Sequence, residues 1–255
     1  MQLNSSLRDG ALHGRVLVIT RPVGTAGALA RRVRALGGTP VLLPGMALRG
    51  PDDVAAVRAA LREGLADELV IFTSPASVRH AAAITPLHTR AVVLAVGQGT
   101  ARALRRQGVQ DPQAPDDRQD SEGLLDLPLL RDLRDRRVTL VGAPAGRGVL
   151  RDQLAARGAR LREVQVYRRV PPRLDRRHVE ALLDLPASAR VLLSSHEALQ
   201  NLYRLLPPPA LARLQAATAV VSSERIAAAA RNAGFARIEL ASSALGDDLL
   251  AAAAR

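Results

Sequence analysis

The chain has 255 residues and a formal net charge of +12, and its strongly basic side chains are all Arg. It has no Cys, which excludes disulfides, thiolate nucleophiles and Cys-ligated metals, and no Lys, which excludes Schiff-base chemistry and the lysine of a phosphate loop. Its five His lack HxH or HExxH spacing, against a His-rich metal site.

Residues 1–13 (MQLNSSLRDGALH) are polar and lack the apolar core of a signal peptide, so they read as a disordered leader. No apolar run reaches the ~20 residues of a membrane span. The expectation is a soluble cytoplasmic protein that meets no membrane.

From there the chain alternates. RVLVITRP (15–22) is a strand, AGALARRVRALGG a helix, and TPVLLP (39–44) a second strand. LVIFTSPASV (69–78) is a strand running into a helix, and AVVLAVGQGTARALRRQGV (91–109) repeats that step. QAPDDRQDSEGLLDLPLL (113–130) is polar and then helical, with a start near Gly123. The alternation resumes with RVTLVGAP (137–144), RGVLRDQLAARGA and RLREVQVYRR (160–169), then RVLLSSHEAL (190–199) and TAVVSSERIAAAARNAGF (218–235).

The two halves repeat. Gly158 follows Gly37 by 121 residues, Ser194 follows Thr73 by 121, and Gly234 follows Gly108 by 126, so a few residues are inserted before the last pair. Each Gly suits a left-handed helix C-cap. Apolar strands with little alternation are strands buried on both faces. Strand–helix alternation then gives an α/β protein of two similar doubly wound parallel sheets, with the cleft between two lobes as the default ligand site.

Ligands of such sheets sit at the carboxyl ends of the strands. Those ends carry Thr20-Arg21, Thr73-Ser74-Pro75-Ala76-Ser77, Gly97-Gln98-Gly99-Thr100, Ser194-Ser195 and Ser222-Ser223-Glu224-Arg225. The hydroxyls can serve simply as helix N-caps, or the helix N-termini can receive carboxylates or phosphates. GAPAGRGVL (142–150) is Gly-rich but lacks GxGxxG spacing and a P-loop Lys, and reads as a turn. The charge is either the mark of an Arg-rich composition or a preference for an anionic ligand. Nucleic acid is not expected, because no basic run, aromatic stacking set or zinc-finger spacing accompanies the charge. Tyr167 is one of only two tyrosines. It can pack as a half-buried ring, or it can donate a proton, since a phenol with a reference pKa of about 10 is an acid at neutral pH.

The ordered set VLVITRP, FTSPASV, VGQGTA, VYRR, LLSSHEAL and SSERIAAAARNAGF resembles the uroporphyrinogen-III synthase family, over about residues 14–252. The resemblance implies a cofactor-free lyase of heme biosynthesis. It would close hydroxymethylbilane, an octacarboxylate, to uroporphyrinogen III with inversion of ring D and loss of water. It implies Tyr167 as the group that assists departure of the hydroxyl. Thr20, Arg21, Thr73, Ser74, Ser77, Gly97, Thr100, Arg168, Ser194, Ser195, Ser223 and Arg225 would bind substrate. It also implies a monomer that takes its substrate from hydroxymethylbilane synthase. The implied map has lobe 1 at 14–43 plus 170–255, lobe 2 at 47–164, and a β-ladder hinge at 40–48 and 163–171. Two departures stand out: GAPAGRGVL lacks the acidic residue common after the family's Gly-Gly-Arg turn, and Ile226 stands where many members have Thr. The alternatives are a non-enzymatic two-lobed binding protein for a small polyanion and a nucleic-acid-binding regulator.

Overall fold

A computed structural model describes residues 7, 8, 10–116, 118–144 and 148–255. In chain order the elements begin with β1 (Val16–Ile19), α1 (Gly27–Ala35), β2 (Thr39–Leu42), β3 (Ala47–Arg49), α2 (Val54–Gly64), β4 (Leu69–Phe72) and α3 (Pro75–Ile84). β5 (Val92–Ala95), α4 (Gln98–Arg106), α5 (Ser121–Leu125), β6 (Arg137–Gly142), α6 (Val149–Ala156), β7 (Arg160–Gln165) and β8 (Arg168–Val170) follow. The last third holds α7 (Arg176–Leu183), β9 (Arg190–Leu193), α8 (His196–Leu205), α9 (Pro208–Ala216), β10 (Thr218–Val221), α10 (Glu224–Asn232), β11 (Arg237–Leu240) and α11 (Gly246–Ala254).

The chain divides into two compact units, Met1–Leu48 with Val170–Arg255, and Arg49–Arg169. The first carries a parallel sheet of order β11-β10-β9-β1-β2. Its central strands are apolar at nearly every position because the pleat feeds two cores. Val18, Val191 and Ala219 turn to one, with side chains of α7, α8, α9 and α10. Leu17, Ile19, Leu192 and Val220 turn to the other, with α1 and α11. The edges, which lack a second neighbour, leave Leu42 and Leu240 partly in solvent.

The second unit has the parallel order β5-β4-β6-β7. β4 (LVIF) is buried along its whole length. Leu69 and Ile71 pack with leucines of α5 and α6, while Val70 and Phe72 point the other way. Burying one such side chain stabilises the fold by about 1.5–3 kcal/mol.

The repeat of the sequence is visible, but it is not the division into units. The first unit joins β1–α1–β2 from the first half to β9, β10 and β11 from the second. The other unit joins β4–α3–β5 to β6–α6–β7. Gly37 and Gly158, the matched helix ends, both take the left-handed conformation, at φ +82° and +87°. The insertion before Gly234 is accounted for by α9, where a Pro at the first turn presets the helical φ.

Three expectations need correction. Part of the leader is ordered: residues 10–14 form a turn, Leu12 N donates to the Leu36 carbonyl, and the Leu12 side chain is fully buried against α1. An apolar residue in a polar stretch has found the helix face. Residues 1–6 and 9 lie outside the described residues. The connecting strands expected at 40–48 and 163–171 are shorter. β3 and β8 form a two-stranded sheet, and Pro44 and Tyr167 fall just before them. The helix expected near Gly123 starts at Ser121, because the Asp120 side chain accepts the Gly123 N–H. Among the described residues no helix is long and apolar enough to cross a membrane.

Candidate functional site

In a doubly wound sheet the crevice opens where the strand order reverses, at the carboxyl ends of the strands. In the Arg49–Arg169 unit that point lies between β4 and β6, since one strand–helix–strand runs outward to β5 and the other to β7. A cavity of about 400 Å³ opens there, lined by Thr73, Ser74, Ser121, Gly148, Arg151, Glu163, Gln165, Tyr167 and Arg169 among others. This is the lower part of the size range of small-molecule sites.

Its hydroxyls are held by the ends of the elements. Thr73 donates to the Val141 carbonyl at 3.2 Å, tying the end of β4 to β6. Ser74 caps α3: its Oγ accepts the Ser77 N–H at 3.0 Å, while Ser77 Oγ lies 3.2 Å from the Ser74 N–H and donates to the Ser74 carbonyl at 2.7 Å. Tyr167 lies in the break between β7 and β8, 5% exposed, and its hydroxyl is 3.3 Å from Ser74 Oγ. Either oxygen can donate. The His80 ring of α3 stacks on the phenol at 5.1 Å between centroids and 23° between planes. Burial, and then the Arg79 charge, push the His80 imidazole below its ordinary value. Glu163 and Gln165 precede Tyr167 at two-residue spacing, so the pleat of β7 turns them to the same side. Asp152 and then Glu163 hold the Arg151 guanidinium more firmly protonated; Arg151 Nε donates to Asp152 at 2.9 Å.

A larger cavity, about 800 Å³, lies at the opposite, amino ends of these strands. Its buried carboxylate, Asp67, is already committed to Thr139 Oγ1 at 2.6 Å and to Arg162. The carboxyl-end cavity, which brings a phenol and a serine hydroxyl together at its wall, is therefore the better candidate.

The expected site residues divide sharply. Thr73, Ser74 and Tyr167 come together at the cavity. Ser77 is fully buried and serves the α3 cap, and Thr100, 4% exposed, lies on the buried face of α4. Gly97 is the cap position of α4, where the next N–H bonds the Gln119 side chain at 3.1 Å. Arg168 is paired with Asp52 at 2.5 Å.

In the other unit the reversal lies between β1 and β9. Thr20 is 3% exposed and donates to the Leu192 carbonyl at 2.7 Å, so its hydroxyl ties β1 to β9. Arg21, next in sequence, is half-buried, its guanidinium lowered by burial, and it makes no ion pair among the described residues. Ser194 is exposed. Ser195 caps α8 through the Ala198 N–H at 3.2 Å. Ser223 stands at the cap position of α10 without a side-chain bond, and Arg225 is exposed. Of GAPAGRGVL, residues 145–147 lie outside the described residues.

Sequence reasoning missed His80, Glu163, Gln165, Arg151 and Asp52. The alternation of Glu163, Gln165 and Tyr167 was a usable signal, whereas His80 sits inside a helix with no motif around it. Among the described residues no group of three or more His, Asp or Glu is placed to hold a metal.

A family model described as Uroporphyrinogen-III synthase HemD matches residues 27–251. The uroporphyrinogen-III synthase of Salmonella typhimurium is 30% identical over 244 residues, covering 92% of this chain and 98% of that one. The Escherichia coli uroporphyrinogen-III synthase is 33% identical over 159 residues, 62% of this chain and 65% of that one. Two crystal structures share the fold. A mutant uroporphyrinogen III synthase of Thermus thermophilus has TM-score 0.56 at 23% identity, covering 93% of this chain and 96% of that one. The uroporphyrinogen-III synthetase of Helicobacter pylori has TM-score 0.60 at 14% identity, covering 93% and 97%.

Proposed function

The chain belongs to the uroporphyrinogen-III synthase family, whose members are enzymes of tetrapyrrole synthesis, and on that premise we propose its reaction and the part each residue takes. It closes hydroxymethylbilane, received from hydroxymethylbilane synthase, to uroporphyrinogen III in the cytoplasm, as a lyase. The observation that carries the reading is the Tyr167 hydroxyl at Ser74 Oγ in the cavity at the β4/β6 reversal.

Ser74 Oγ already accepts the Ser77 N–H, which leaves its own proton for the Tyr167 oxygen. The phenol proton is then directed to the substrate. Tyr167 gives it to the departing hydroxyl, the carbon–oxygen bond breaks, and water leaves behind a delocalised azafulvene cation. Attack by the far pyrrole forms a spiro intermediate, which opens and recloses with ring D inverted. The proton released on closure returns to the phenolate, so the net change is loss of one water. Holding the chain of rings for closure in this sense is a matter of orientation, which can supply several kcal/mol of the barrier. Arg21, Ser194 and Arg225 bind carboxylates of the substrate. The protein acts as a monomer on this reading.

The test is to generate hydroxymethylbilane in situ with the purified protein, oxidise the products and separate the porphyrin isomers. Uncatalysed closure gives isomer I, and protein-dependent isomer III is the expected result. Isomer I alone, with folded protein, would overturn the reading.

A further inference from the structure

The Tyr167 ring is buried, 5% exposed, where the chain breaks between two strands. The backbone beside it is fixed, since Val166 N donates to the Gly142 carbonyl at 2.9 Å and Val166 is fully buried. The side chain itself leaves the strand in the two-residue break before β8. Its described polar contact is the 3.3 Å approach to Ser74, longer than a strong hydroxyl–hydroxyl bond. Its described aromatic contact is His80. A helical side chain leans toward the N-terminus of its helix, so the His80 ring reaches back along α3 toward the turn that Ser74 caps. There it covers one face of the phenol.

We propose that His80 is a positioning residue for Tyr167: its ring blocks the rotamers that would swing the phenol hydroxyl away from Ser74 and out of the cavity. One short helix thereby holds the phenol twice, at the oxygen through its cap and at the ring through His80. The α3 capping box makes that helix start rigid, so the two holds keep a fixed spacing. Burial and the neighbouring Arg79 keep the imidazole neutral, which suits stacking against a buried phenol. The catalytic consequence rests on the reading of Tyr167 as the proton donor, whereas the clamp does not.

The composition supplies a clean probe. The chain has no Trp and two Tyr, and the other, Tyr203, is 53% exposed. In a Tyr203→Phe background the tyrosine band of near-ultraviolet circular dichroism reports the immobilisation of Tyr167 alone. His80→Ala is expected to abolish most of that band and to lower kcat for isomer III about tenfold with KM unchanged. His80→Phe, which still stacks, is expected to restore both. His80→Gln replaces the alanine variant should that one fail to fold. A full band in His80→Ala or His80→Gln overturns the clamp. A lost band with unchanged kcat where Tyr167→Phe slows the reaction overturns the positioning role in catalysis. A lost band with unchanged kcat where Tyr167→Phe is equally active supports the clamp and removes the proton-donor role of Tyr167 instead.

Discussion

The two sheets reverse their strand order in the same way and finish the reversal differently. At β1/β9 the Thr20 hydroxyl bonds the carbonyl of Leu192, and at β4/β6 the Thr73 hydroxyl bonds that of Val141. Each unit also places a serine at the following helix cap, Ser195 on α8 and Ser74 on α3. The difference is the phenol. Ser74 has Tyr167 beside it and a cavity behind, while the described partner of Ser195 is its own helix. What the β1/β9 end offers is charge, in the half-buried Arg21. A duplicated scaffold thus supplies two helix-rimmed strand ends, and among the described residues only one has a phenol beside its cap. On the proposed reading, chemistry and anion binding are separable by substitution.

The largest expected effect tests that separation directly. Tyr167→Phe should lower kcat for isomer III by about 10²-fold, the lower end for loss of a general acid, because a delocalised cation forms with modest help. Its KM should stay near the wild-type value. Arg21→Gln should do the reverse, raising KM about 10- to 150-fold with kcat preserved, as expected when a charged hydrogen bond of ~1.5–3 kcal/mol is lost equally from ground and transition states. Steady-state kinetics with isomer separation read both. If both variants lower kcat alike, the division of labour between the two strand ends is wrong.

The paired caps sharpen the comparison. Ser74→Ala and Ser195→Ala each remove one helix cap and should each cost about 1 kcal/mol in denaturant unfolding. Only Ser74→Ala should also slow isomer III formation. The slowing should be about tenfold, short of the ~10²-fold that a 1 Å displacement of a catalytic group can cost. Equal kinetics for the two variants would make Ser74 a cap and nothing more.

The sequence carried the strand ends well and the interior poorly. Runs such as LVIF read as strands buried on both faces, and the Ser-Pro-x-x pattern after it as the start of a helix, and both are what the structure holds. Thr73 and Ser74 were therefore reachable from the pattern, and Tyr167 through the family resemblance. What a repeat cannot show is which hydroxyls the packing consumes. Ser77 follows Ser74 in the same motif, yet the helix turns it fully into the core. Thr100 is hidden in the same way by α4, and Thr20 by the bond to Leu192. Arg168 stands beside Tyr167 in sequence, but the strand turns it to Asp52. His80 escaped for the opposite reason. Its partner is 87 residues away, and no local pattern encodes a stacking contact made by a helix with a strand end.

The smallest expected effect is in the pH dependence of stability, and again it separates two regions. Burial first, and Arg79 second, lower the His80 value in the folded state. Between that lowered value and the ordinary one near 6.5 the unfolded chain binds more protons. Stability therefore rises with pH across this window and is lost as pH falls through it. Asp175, the cap of α7, is lowered by the His178 backbone N–H and then by its side chain. It contributes stability above the ordinary carboxylate value near 3.9, and that contribution is lost as pH falls below that value. The two windows open at different pH, near 6.5 for His80 and near 3.9 for Asp175. Thermal midpoints measured from neutral pH downward should lose part of their slope below about pH 6.5 in His80→Phe. Asp175→Asn should change the slope only at more acidic pH. A His80→Phe profile parallel to wild type throughout would show that the imidazole titrates alike in the folded and unfolded chain. The neutral stack on Tyr167 would then have no energetic cost of protonation behind it.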